Sequence, residues 1–136
     1  MKFTNDEIKD LFFAWLMISL AFAILFSGIS SLFSNPIIFI ISLGMALFTS
    51  GIGFLLHELM HKYVAQSYGF YAEFKAFYNM LFLAIAFSFF GFILAAPGAV
   101  FISGFITREK NGKISLAGPM TNILLAIIFL ILLLIF

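Results

Sequence analysis

The stretch PIIFIISLGMALFTSGIGFLLHELMH, Pro36 to His61, decides how this chain folds. Residues 36–56 carry no charge, and the stretch ends on the only two histidines of the chain, His57 and His61, with Glu58 beside the first. About 20 consecutive apolar residues cross a hydrocarbon core as a helix. Histidines four apart on that helix project from one face and can meet a single ion. One helix is therefore expected both to span a membrane and to carry a pair of imidazoles at its far end.

Working outward, the rest of the 136 residues fits the same solvent. The chain is 64% hydrophobic and only 10% charged, against about 45–50% and about 25% for soluble domains. Its charges fall in three islands, Lys2 to Asp10, Glu58 to Lys75 and Arg108 to Lys113, separated by uncharged stretches at 11–56, 76–107 and 114–136. The expectation is an all-α integral membrane protein, multi-pass in the cell membrane, forming one domain over 1–136. A net charge of +1 without a basic patch argues against a nucleic-acid partner. The absence of cysteine excludes disulfides and thiolate ligands. Asp6, Glu7 and Asp10 precede the first apolar run, which is too long for a cleaved signal, so a permanent span is expected there.

Three to four transmembrane helices are expected. The first covers 11–33, with Trp15 near an interface, and turns at Ser34-Asn35-Pro36. The second covers 37–66 and stops at Tyr68-Gly69-Phe70. Residues 71–77 form a short aromatic and charged connection. The third apolar segment, 78–96, either crosses or enters and returns at Pro97-Gly98. Asn111-Gly112 between short β-prone runs signals a small hairpin over 99–116. The last span, 118–136, opens at Gly118-Pro119. Gly44, Gly51 and Gly53 either admit a neighbouring helix closely or are ordinary membrane-helix glycines.

Ionisable groups in a membrane helix cost a few kcal/mol each near its centre and usually mark a site. Neutral imidazole is a good zinc ligand, and a glutamate beside such a pair can take a proton from a zinc-bound water. His57 and His61 are thus candidate Zn2+ ligands and Glu58 a candidate general base in peptide-bond hydrolysis. The plain alternative is a pair of satisfied core histidines.

Further motifs accompany HELMH: Tyr68-Gly69, then Ala96-Pro97-Gly98-Ala99-Val100, then residues 112–122, which read GKISLAGPMTN. Together they resemble the site-2 protease family of intramembrane zinc metalloproteases, over about residues 37–136. The resemblance implies cleavage of membrane-embedded helices and an active site nearer the cytosolic side. It also implies a third zinc ligand from an aspartate in a later helix, within a motif similar to Asn-Pro-x-x-Asp-Gly. No such motif follows Asn122, so the chain reads as truncated before it.

Other carboxylates are then candidates. Asp10 and His61 lie about equally far from the Asn35-Pro36 turn, roughly 38 Å along their helices at ~1.5 Å per residue. Asp10 is therefore expected level with His61, with Asp6 or Glu7 able to fold back and Glu73 a further candidate. An exposed strand edge between Val100 and Leu116 either pairs with an unwound substrate or merely covers the site. Asn122 bonds the substrate or the facing helix, or is a simple helix-start residue.

The expected function is zinc-dependent intramembrane endoproteolysis, with the lipid bilayer and a transmembrane protein substrate as partners. The alternative is a non-catalytic, truncated relative or subunit that binds a partner helix without cutting.

Overall fold

A computed structural model describes every residue except Ala95, and that one position of the third apolar segment lies outside the described residues. The elements are α1 (Asn5–Ser27), α2 (Ile29–Ser34), α3 (Pro36–Phe48), α4 (Ser50–Ser67), β1 (Tyr71–Ala76), α5 (Tyr78–Ser88), β2 (Gly98–Ser103) and α6 (Arg108–Ile135). Among the described residues, three helical paths are long and apolar enough to cross a membrane: Asn5–Ser27, Pro36–Ser67 and Arg108–Ile135. The protein is mostly helical, with one small two-stranded sheet.

Thr4 starts α1 by accepting the Glu7 amide on its hydroxyl at 3.1 Å, and Asp6 and Glu7 place negative charge at the positive helix end. Pro36 opens α3, where its missing N–H is no loss. The second span follows one path but breaks at Thr49. There the Thr49 hydroxyl donates to the Met45 carbonyl at 2.7 Å, a local bond that competes with the helical ladder. Trp15 donates its indole N–H to Leu47 O at 3.0 Å, just before the break. Gly51 lies against Trp15 and Ser19, where a Cβ would collide with both. Gly44 has nothing near it and Gly53 only Asn122, so close helix approach is a property of Gly51 alone among the three. Helix α4 ends as expected at Gly69, with φ +82, where Phe70 N reaches back to Ala65 O at 3.1 Å.

The stretch expected as a connection is strand β1. It pairs antiparallel with β2, from Tyr71 opposite Ser103 to Ala76 opposite Gly98. The hairpin expected over 99–116 is therefore corrected: the partner of β2 lies upstream of α5, and Asn111-Gly112 is helical. Thr107 decides this, because its hydroxyl accepts the Lys110 amide at 3.2 Å and caps α6. The last helix thus begins at Arg108 rather than at 118, with Pro119 inside it. Helix α5 has 11 residues and rises only ~16 Å, well short of a ~30 Å core.

The core lies where the sheet meets α1, α4 and α5. Leu11, Ala14, Phe74 and Leu81 form one cluster, and Ala65, Ala72 and Ile114 another. The far half of α6 leaves Ile123, Leu124, Ile127, Ile128 and Leu130 exposed, as a helix facing lipid or another helix would.

Residues preceding α1 strap the outer face of this assembly. Thr4 donates to Glu73 Oε1 at 3.1 Å and Tyr71 to Glu73 Oε2 at 2.7 Å. The Tyr71 bond first, and the Thr4 bond next, hold the Glu73 carboxyl below the usual glutamate range. A carboxyl with a lowered folded pKa stabilises the fold above its unfolded value and loses that effect as pH falls through the folded one. The strap is expected to loosen on acidification below about pH 4.3, before the helices melt. The Tyr71 ring resonances followed against pH will show it; resonances unmoved by acid would count against it.

Candidate metal centre

Helix α4 delivers His57, Glu58 and His61 around its middle, and α6 crosses the face that carries the two imidazoles. The rings are perpendicular, with centroids 4.7 Å apart. Their Nε2 atoms converge to 3.1 Å. His61 Nδ1 lies 2.7 Å from Ile114 O. A carbonyl only accepts, so Nδ1 carries the hydrogen, and in the neutral imidazole Nε2 of His61 keeps a bare lone pair. His57 Nδ1 lies 2.9 Å from the Asn122 side-chain amide.

Asn122 can meet His57 in either amide orientation, since its O and N are nearly isosteric. With the oxygen toward Nδ1, His57 also holds its hydrogen on Nδ1 and aims a lone pair from Nε2. Two bare lone pairs at this separation repel unless a proton or a cation sits between them. Two nitrogens at ~2.05 Å from a tetrahedral zinc would lie ~3.3 Å apart, so the pair needs almost no movement to hold one. Tying the second ring nitrogen to a carbonyl or amide is the usual support of a histidine ligand. By donor chemistry and spacing, the pair fits zinc.

Ile114, Gly118 and Asn122 recur every four residues on α6 and form the surface against which the imidazoles rest. A Cβ on Gly118 would lie 2.7 Å from His57 Nε2 and closer still to His61. Gly118→Ala is therefore expected to displace both rings and lower zinc affinity by at least ~10–100-fold, the range for losing support around a ligand. Alanine suits a helix better than glycine, so the melting temperature should not fall with it. Zinc titration beside thermal melting measures both, and undiminished affinity would refute this packing.

Glu58 points elsewhere. It is 9% exposed, makes no ion pair among the described residues, and lines two cavities. One, of about 720 Å³, runs past His57, Asn122, Pro97 and Gly98 and is walled by apolar residues of α1 and α6. The other, of about 440 Å³, lies between Glu58, His61, Val100, Ile102 and the start of α6. Glu58 thus stands beside the histidine pair, facing space.

Three of the other candidate carboxylates, Asp10, Glu73 and Glu7, are committed elsewhere, and Asp6 is exposed in the first turn of α1. Asp10 accepts the Ala76 amide at 3.0 Å and the Tyr78 hydroxyl at 2.8 Å. Glu73 is held by Thr4 and Tyr71. Glu7 is buried against Lys62 and accepts the Phe74 amide at 2.7 Å. The start of α1 does lie level with the end of α4, but the side chain it meets is Lys62, about 100° around the helix from His61. Among the described residues no three His, Cys, Asp or Glu side chains gather as a metal site.

Asn122, expected at a helix start, lies within α6 and meets the facing helix. Ile114 and Gly118 stand within the 112–122 motif but are given no role in the site by the sequence. Only their spacing from Asn122 could have exposed them.

The chain is 45% identical over 137 positions to a protein of Methanocaldococcus jannaschii named "Putative zinc metalloprotease MJ0611". The match covers 99% of this chain and 66% of that protein, just under two thirds of its length. No family model and no solved structure matches the chain.

Proposed function

We propose that this chain carries the histidine pair and the general base of a zinc-dependent intramembrane endopeptidase of the site-2 protease type, acting on membrane-embedded protein segments. The observation that carries the proposal is the convergence of two Nε2 atoms, 3.1 Å apart, with both Nδ1 atoms held by α6. The relative named as a zinc metalloprotease supports the same chemistry, and the three long apolar helices support its location in a membrane. Asp10 and Glu73 hold other partners, which weighs against either as a third ligand.

Zinc held by His57 and His61 would supply a Lewis acid that brings the pKa of a bound water toward ~7. Glu58 would act as the general base, taking a proton from the attacking water as its oxygen bonds the scissile carbonyl carbon. It returns that proton to the departing amide nitrogen as the C–N bond breaks. The 440 Å³ cavity brings water and substrate backbone to Glu58. Beside it, β2 offers an extended substrate an edge to pair with, and pairing supplies the unwound backbone that hydrolysis needs.

The test is cleavage of a synthetic single-span peptide by the zinc-loaded protein in proteoliposomes, with and without a chelator. Cutting that stops on chelation and returns with zinc is expected. A protein that binds zinc and the peptide without ever cutting would overturn the protease assignment in favour of a helix-binding relative.

A further inference from the structure

Two carboxylates of α1 have a geometry that peptide hydrolysis does not by itself require. The ladder between β1 and β2 continues through Phe77 N to Pro97 O at 3.0 Å. In an antiparallel pair, bonded and non-bonded positions alternate. Residues 71, 73 and 75 of β1 therefore face β2, and Phe74 and Ala76 turn their N–H groups to the far edge. Both of those groups end on α1, Phe74 on Glu7 Oε2 at 2.7 Å and Ala76 on Asp10 Oδ2 at 3.0 Å. An edge strand with free N–H groups is a template for added chain, and here that template is taken.

Each carboxylate also grips a third element with its second oxygen. Glu7 Oε1 takes the Lys62 ammonium of α4, both side chains being essentially inaccessible. Asp10 Oδ1 takes the Tyr78 hydroxyl at the start of α5 at 2.8 Å. Lys62 directly follows His61 in the chain. The sheet is thus tied, through Glu7, to the helix turn that bears the histidines. By the same alternation, the outward backbone groups of β2 are those of Gly98, Val100 and Ile102, next to the cavities that Glu58 lines.

We infer that Glu7 and Asp10 are positioning residues: they close the far edge of β1 and fix the height of the sheet along α4. An extended substrate can then add only along β2, in one register relative to Glu58. The inference rests on the protease reading, but its test does not need turnover. A strand that slips must slip by two residues to keep its side chains on the same faces, so loosened positioning has a discrete signature.

The experiment uses the full chain as Glu58→Gln, with a synthetic single-span peptide carrying one benzophenone. Photocrosslinks are mapped by mass spectrometry on this parent, on Asp10→Ala, and on the double change Glu7→Met with Lys62→Met. The double change removes the buried charges together, because stranding one alone costs far more than replacing both. Zinc content and helix melting are recorded for each.

In the parent the crosslinks are expected at one β2 position. In both variants they should spread to sites two residues away, with amide exchange at Phe74 and Ala76 faster by at least tenfold and zinc retained. Crosslinks still confined to one position despite faster exchange would overturn the inference, leaving Glu7 and Asp10 with a merely structural role. Crosslinks that miss β2 in the parent would overturn it as well. Failure of the parallel peptide-cleavage test with Glu58 intact would instead count against the protease reading alone.

Discussion

Glu58→Gln is expected to reduce peptide cleavage by about 10²–10⁴-fold, the contribution of a positioned general base, while zinc remains bound. The substitution keeps the volume and the hydrogen-bonding carbonyl of the side chain and removes only its capacity to take a proton. Zinc should stay because Glu58 is not gathered with the histidines into a metal-binding group; it faces the cavities beside them. The fold should tolerate the change, since the Glu58 carboxylate makes no ion pair among the described residues that would be stranded. Cleavage assays beside metal analysis separate the roles. Loss of zinc together with activity would make Glu58 a ligand, and preserved cleavage would remove it from the reaction.

The second large effect is on the metal itself. Either His57→Ala or His61→Ala leaves one of two nitrogens, and affinity should fall by more than the ~100-fold seen when only the support around a ligand is lost. The two variants should be equally poor binders, because the pair acts on one ion. Asn122→Ala should be milder, within ~10–100-fold, since it releases the orientation of His57 without removing the ligand. Asp10→Ala should leave zinc unchanged: its carboxylate serves the Ala76 amide and Tyr78. Metal titration of the four variants orders them. A zinc loss in Asp10→Ala equal to that in the histidine variants would contradict the arrangement of α1 described above.

The long helices and the histidine pair were legible in the sequence for one reason. A chain in hydrocarbon satisfies its backbone within each segment, so hydropathy and local spacing carry most of the information. The stop at Gly69 and the start at Pro36 are local signals of the same kind. The sheet was not legible, because its strands are separated by all of α5 and pair non-locally. Yet Ala72 and Phe74 are buried between the exposed Tyr71 and Lys75, a period-two alternation that could have announced a strand. Asn111-Gly112 misled as a turn signal, since the Thr107 cap and the long apolar run beyond it favour a helix strongly enough to absorb a glycine costing ~1 kcal/mol.

At the site, the side chains on α4 could be read from spacing, whereas their support could not. The Ile114 carbonyl is a backbone group and Gly118 acts by lacking a side chain. Height along the helices was also legible, and it brought the start of α1 to the end of α4. Rotation about the helix axis was not, so an expected carboxylate–histidine contact resolves into Glu7 and Lys62.

Whether His57 and His61 together hold one zinc is decided by X-ray absorption at the zinc edge on the detergent-purified protein, with metal counted per chain. Near one zinc per chain, with two imidazole nitrogens at ~2.0–2.1 Å and the signal lost in His57→Ala, is the result expected. A protein that takes up no zinc, or whose zinc shows no imidazole in its shell, would show that the two histidines do not form a metal site.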